Sequence, residues 1–267
     1  MFCDDGTIIS GCLLIKGAQH SCQGGMWLAI YNDNKKPVHI ASTSKDFFAD
    51  TKKFHVSVNK NSFFEQGGKY YLHIDEGNVG VKITAESLIK WKDNSMHMEL
   101  KPGSTIDWIV PVLKGKFKGE LSIGNKRKKI TGIFFHDHVR DNLRKNLSLA
   151  RNFKGWVWGL MYDKEESLLY VRVDYTPKPF TFICHERKGK VTKKKGRVLV
   201  RKDHHVVKIN VSRKTFLSSL DTVHRVDSYD GNNTLLKFFA NRAVRKYHAY
   251  NSKTKEYMEC LRMPKLL

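Results

Sequence analysis

The chain is a succession of short segments in which apolar or β-branched residues alternate with polar ones. Residues 54–58 (FHVSV), 70–74 (YYLHI), 79–84 (VGVKIT), 168–174 (LLYVRVD), 197–200 (RVLV) and 205–211 (HVVKINV) all have this form, with Gly, Asn, Asp and Lys turns between them. A period of two sends successive side chains to opposite faces of a strand, so each segment reads as a half-buried strand. No stretch carries a helical period long enough to compete, and the chain is read as mainly β. Its 267 residues, 40% of them hydrophobic, suffice for one large all-β domain or two smaller ones.

Two units are expected, an N-terminal one over residues 1–125 and a C-terminal one over 126–267. The first closes on residues 108–119 (WIVPVLKGKFKG), read as an edge-like strand because Pro111 cannot donate to a ladder. Residues 139–152 are polar and strand-poor and are expected to form a loop or short helix over the site. The pair Pro177 and Pro179 breaks the chain again after Asp174.

The net charge is +22. Such a balance fits either a solvated, lysine-rich surface or attraction to nucleic acid or an anionic membrane. The densest runs, 126–129 (KRKK) and 187–197, read as turns between strands, and His204 and His205 beside a basic turn are expected to face solvent. No zinc finger, aromatic RNA-binding strand or basic heptad helix is present, so nucleic acid is the less favoured partner, with peripheral membrane contact through the basic surface kept open. Five cysteines without a CxxC pair argue against a disulfide framework or a structural zinc site and fit a reducing cytoplasm. Neither a signal peptide nor an apolar run of transmembrane length is seen. Gly24-Gly25 and Gly67-Gly68 lack the strand-to-helix setting of a phosphate loop, and no serine nucleophile elbow occurs.

Chemistry-bearing residues concentrate in residues 132–138 (GIFFHDH) and 155–159 (GWVWG). In a regular strand His136 and His138 share one face and Asp137 takes the other, while Trp156 and Trp158 share a face. Imidazoles, a carboxylate and indoles together suit the wall of an apolar pocket with a small polar centre. Plainer roles stand beside this one. The aspartate can be a hydrogen-bonded strut, the tryptophans core or lining, and Glu259 a salt-bridge partner. The His-x-His pair could chelate a metal, but spacing places no third ligand, and neither metal nor cofactor is expected.

These residues carry a resemblance. Residues 135–138 resemble the aromatic-His-Asp-His motif of the lipocalin-like hydroxyneurosporene synthase (carotenoid 1,2-hydratase) and AttH-like family. Residues 156–159 are similar to its Trp-x-Trp-Gly strand, 108–119 to its Trp-x-Val-Pro strand, and 255–261 (KEYMECL) to its closing strand. The resemblance implies two lipocalin-like β-barrel units packed together around a hydrophobic, isoprenoid- or polyketide-like ligand. The activity it implies is cofactor-free: hydration by a carotenoid 1,2-hydratase-like lyase, or isomerisation or cyclisation. The chain departs from the family at Val139-Arg140-Asp141, where Asn-Trp-Gly is usual, and at Lys255, where glycine is usual. Only residues 2–6 (FCDDG) stand for the aromatic-rich opening strand, which fits a shortened start.

Alkene hydration requires an acid strong enough to form a carbocation. A desolvated carboxyl can stay protonated near neutral pH, and indole faces can stabilise the cation. Asp137 is the expected acid, His136 or His138 its partner, and Trp156 and Trp158 the wall. Tyr162, Tyr170 and Asp174 are further ligand-binding candidates. The alternatives are a non-catalytic binder of the same ligands, and a basic nucleic-acid- or anionic-membrane-binding protein.

Overall fold

The structure is a computed structural model of the whole chain. It describes all residues except 17–22, 33–34, 51, 90, 92, 102–103, 143–152, 164, 176–178, 202–203, 212–213, 227–244 and 263–267. The strands are, in order, β1 (Phe2–Cys3), β2 (Ile8–Lys16), β3 (Gln23–Tyr31), β4 (Val38–Ser44), β5 (Phe47–Ala49), β6 (His55–Val58), β7 (Asn61–Gln66), β8 (Lys69–Glu76), β9 (Val79–Ser87), β10 (Ser95–Lys101) and β11 (Ser104–Ile123). They continue as β12 (Lys126–Asn142), β13 (Phe153–Tyr162), β14 (Glu166–Tyr175), β15 (Phe180–Arg187), β16 (Lys190–Lys194), β17 (Gly196–Val200), β18 (Val206–Val211), β19 (Lys214–Ser219), β20 (Thr222–Val226), β21 (Arg245–Asn251) and β22 (Glu256–Arg262). Every regular element among the described residues is a strand, as the alternating pattern requires. No helix among the described residues is long and apolar enough to cross a membrane.

Two compact units result. One comprises Met1–Lys90 with Val112–His136, the other Trp91–Pro111 with Asp137–Leu267. Of the three divisions, one falls between β9 and β10 and the other two within the long strands β11 and β12. Residues 124–125, where the sequence reading set its divide, form the turn joining these strands, within the first unit. Pro111 is not on an edge strand. It falls between the stretch of β11 paired with β10, which ends at Ile109, and the stretch paired with β9, which starts at Gly115. Its missing N–H is harmless at that change of neighbour.

In the first unit the sheet runs β4-β3-β2-β1-β12-β11-β9-β8-β7-β6-β5. It curls until β3 returns against β5 and β6, nearly closing a barrel. A Cβ on Gly24 would lie 2.7 Å from the Phe47 Cβ and 2.9 Å from a Val58 methyl, so only glycine permits that approach. Inward-facing Ile9, Leu28, Ile74, Val81, Val112 and Leu121 fill the interior.

In the second unit a seven-stranded sheet, β16-β15-β14-β13-β22-β21-β20, and a three-stranded sheet, β17-β18-β19, enclose a second core. Val157, Tyr170, Ile183 and Met258 from the large sheet meet Val198, Val207 and Ile209 from the small one. Lys188 (φ +52°) and Gly189 (φ +77°) turn the β15–β16 hairpin, so part of the basic run over 187–197 does sit at a turn. His204 is not solvated as expected. It is buried and stacks on Tyr247 at 4.3 Å between ring centroids, whereas His205 is exposed, as expected, and hydrogen-bonds the Leu220 carbonyl at 2.7 Å.

Candidate functional site

The site grows from the register of the seven-stranded sheet. Directly opposed residues of antiparallel strands share a face. Trp158 opposes Glu259, Glu259 opposes His248, and His248 opposes His224, which forms a row across β13, β22, β21 and β20. The faces either side of that row are set by alternation. Val157, Gly159 and Met161 turn to the core shared with the small sheet, whereas Trp156, Trp158, Leu160 and Tyr162 take the opposite face.

Glu259 is tied down on this face. Its Oε1 accepts the Trp156 Nε1–H at 3.2 Å, and its Oε2 lies 3.3 Å from both Lys246 Nζ and His248 Nε2. The other nitrogen of His248, Nδ1, is 2.9 Å from the Tyr257 hydroxyl. Desolvation pushes the Glu259 carboxyl up, but the Lys246 ammonium and His248 outweigh it and bring the pKa down to about 2. Glu259 is therefore an anion at any physiological pH.

Asp137 lies in β12 and has the opposite character. Its Oδ2 accepts the Trp108 Nε1–H at 2.7 Å. Desolvation dominates and raises its pKa to about 7, with the charge of Glu259 raising it further and the Trp108 bond opposing. Among the described residues no cation compensates the carboxyl, in contrast to Glu259. Burial, helped by Asp137 itself, holds the Tyr162 hydroxyl far above its usual range. The rings close around these groups, with Trp108 edge-on to Trp158 at 6.2 Å and Trp158 5.5 Å from Tyr257.

Of the residues singled out in the sequence, Asp137, Trp156, Trp158 and Tyr162 thus belong to one constellation. His136 faces away from it, as strand alternation requires, into the first unit. Its ring packs 4.5 Å from Phe54, 4.6 Å from Phe63 and 5.4 Å from Tyr70. His138 is half-buried, and desolvation together with Arg140 lowers its pKa. Tyr170 and Asp174 lie on the core face of the sheet. Tyr170 crosses over Gly159, and Asp174 accepts from Arg172 Nε at 2.6 Å. Residues 139–142 continue β12 rather than forming a loop, and 143–152 lie outside the described residues. Sequence reasoning missed Trp108, Lys246, His248 and Tyr257. The first three are polar or aromatic residues in half-apolar strands, and only the pairing register reveals their shared face. No three metal-ligating side chains converge among the described residues.

No protein-family model matches the sequence, and no curated protein matches it. Solved structures do match. An AttH-type protein from Nitrosomonas europaea superposes with a TM-score of 0.64 at 10% identity, covering 95% of this chain and 86% of that one. The fold is of the AttH type. CghA matches with a TM-score of 0.54 at 11% identity, and CghA with Sch210972 with a TM-score of 0.51 at 11% identity; each covers 98% of this chain and 86% of the other. At such identities the likeness speaks to the fold alone. Before the closing strand Lys255 has φ +54°, the left-handed conformation that glycine adopts without strain.

Proposed function

We propose that the protein binds a hydrophobic, isoprenoid- or polyketide-like small molecule and acts on it by acid–base chemistry without a cofactor, with Asp137 as the acid. The observation that carries this reading is the pair of carboxyls in opposite states. Asp137 is desolvated, has no compensating cation among the described residues and holds its proton up to about pH 7, while Glu259 is ionised beside Lys246 and His248. Two carboxyls pushed apart in this way are how one site runs acid chemistry near neutral pH. The Trp108 N–H donates to Oδ2 and holds the Asp137 carboxyl in place. Delivery of the carboxyl proton to an alkene carbon breaks the O–H bond, forms a C–H bond and leaves a carbocation. The faces of Trp108, Trp156 and Trp158 and the negative charge of Glu259 stabilise that cation. The Asp137 carboxylate then takes back a proton, from an attacking water in a hydration or from a neighbouring carbon in an isomerisation or cyclisation. CghA, of the same fold, has been crystallised with the small molecule Sch210972, in keeping with a ligand role for this architecture.

The test uses squalene as an alkene probe in deuterium oxide, with retinol quenching of indole fluorescence as the binding readout. Wild-type protein is expected to bind retinol and to incorporate deuterium into the alkene. Asp137→Asn is expected to bind retinol equally while losing about 100-fold or more of the incorporation. Equal incorporation by Asp137→Asn, or no retinol binding at all, overturns the reading. Retinol binding with no incorporation by wild type favours the non-catalytic binder.

A further inference from the structure

The small sheet of the second unit has two faces of different character. Its inner face, Val198, Val207, Ile209 and Val211, is fully packed in the core. Most side chains of its outer face are exposed. The register sets Leu199 of β17 opposite Lys208 of β18, and Lys208 opposite Leu217 of β19, so the three stand in one row across the sheet. Leu199 is 41% exposed and Leu217 63%. Lys208 is exposed between them, and Arg197, two residues before Leu199 on the same face, is exposed as well. Not one Asp or Glu occurs in β17, β18 or β19.

A single surface leucine needs no explanation. Two that flank a lysine in one row, with an arginine beside them and no acid in any of the three strands, form a pattern. Leucines can enter the boundary of the acyl chains while ammonium and guanidinium groups stay level with the phosphates. We propose that this outer face docks on an anionic phospholipid bilayer. The net charge of +22 adds long-range attraction to such a surface. Nucleic acid is the poorer fit, because single strands are gripped by stacking on aromatic rings, and the outer face presents none. Phe216, the one ring in β19, opposes Ile209 and so belongs to the inner side. Two leucines and a few cations give reversible, salt-sensitive attachment. The inference goes beyond the acid–base reading and does not depend on it, since it uses a different sheet.

Sedimentation with vesicles tests it. At low salt the protein is expected to sediment with phosphatidylcholine vesicles containing phosphatidylglycerol and to remain in the supernatant with pure phosphatidylcholine. The double variants Leu199→Ser/Leu217→Ser and Arg197→Glu/Lys208→Glu are each expected to lower the partition coefficient about tenfold or more. Both are expected to keep the wild-type Tm and retinol binding. Should the leucine variant melt early, the charge variant decides alone. Vesicle binding that survives both double variants overturns the proposal. So does binding of a single-stranded oligonucleotide without binding to the anionic vesicles. Neither outcome touches the retinol assay, so the ligand reading stands or falls separately.

Discussion

Asp137→Asn is expected to stabilise the protein above neutral pH and to do nothing of the kind in mild acid. The sign follows from the carboxyl's two environments. In the unfolded chain it releases its proton near pH 3.8, and in the folded protein near pH 7. A raised acid pKa means the native state holds a proton that the unfolded state has lost, so stability falls as pH rises through that window and levels off above it. The displacement of about three pH units corresponds to about 4 kcal/mol, an upper bound because Asp137 keeps some exposure. Asparagine carries no charge and still offers an oxygen to the Trp108 N–H, which now reaches the carboxylate oxygen at 2.7 Å. Its amide N–H groups lose water without a certain replacement, at about 1–2 kcal/mol. The net gain at pH 8 is therefore about 2 kcal/mol, or roughly 4–8 °C in Tm for a domain of this size. At pH 5 the wild-type carboxyl is already neutral, and the variant is expected to be no more stable than wild type. Thermal melts of both proteins at the two pH values, read as a difference, remove every other titrating group. Equal destabilisation of Asp137→Asn at pH 5 and pH 8 would refute the reasoning, because it would mean an ionised, held carboxylate that cannot act as a proton donor.

Glu259→Gln is expected to cost about 3 kcal/mol near neutral pH, since it strands the Lys246 charge in a largely buried place. Glu259's depressed pKa contributes stability that is complete above pH 4.5 and lost as pH falls toward 2, so acid melts should show a smaller difference between variant and wild type. Gly159→Ala would set a Cβ 2.3 Å from the Tyr170 hydroxyl and 2.4 Å from the Tyr257 carbonyl oxygen, and urea unfolding should register a loss of about 2–3 kcal/mol. Lys255→Gly relieves a left-handed backbone at φ +54° and is expected to raise stability by about 1 kcal/mol in the same assay.

The strands were legible because burial of one face imposes a period of two, visible at residues 79–84 or 205–211 without any structure. The same alternation correctly turned His136 away from Asp137. What the sequence could not show was register. Tyr170 and Asp174 sit on a strand buried on both faces, so nothing in LLYVRVD tells which parity meets the indoles and which meets the second core. Trp108 reaches an aspartate 29 positions later, and Glu259 lies beside Trp158 a hundred positions earlier; such neighbours follow from hydrogen-bond pairing between distant strands. Pro111 misled for a related reason. Proline forbids a donor on one side, which is true of an edge and equally true of an interior strand at the point where one neighbour stops and another begins.

The first strand's pairing has a consequence for how the molecule is made. Phe2 opposes Ile133. On the ribosome, then, the opening residues must wait until about half the polypeptide has emerged before their ladder can form, and the first barrel cannot finish ahead of material that also feeds the second. Such distant pairing slows folding and leaves sheet edges bare in the interim. A gene cut at codon 125 would therefore yield two fragments with unmatched strands, prone to stick to each other or to themselves, rather than two independent proteins.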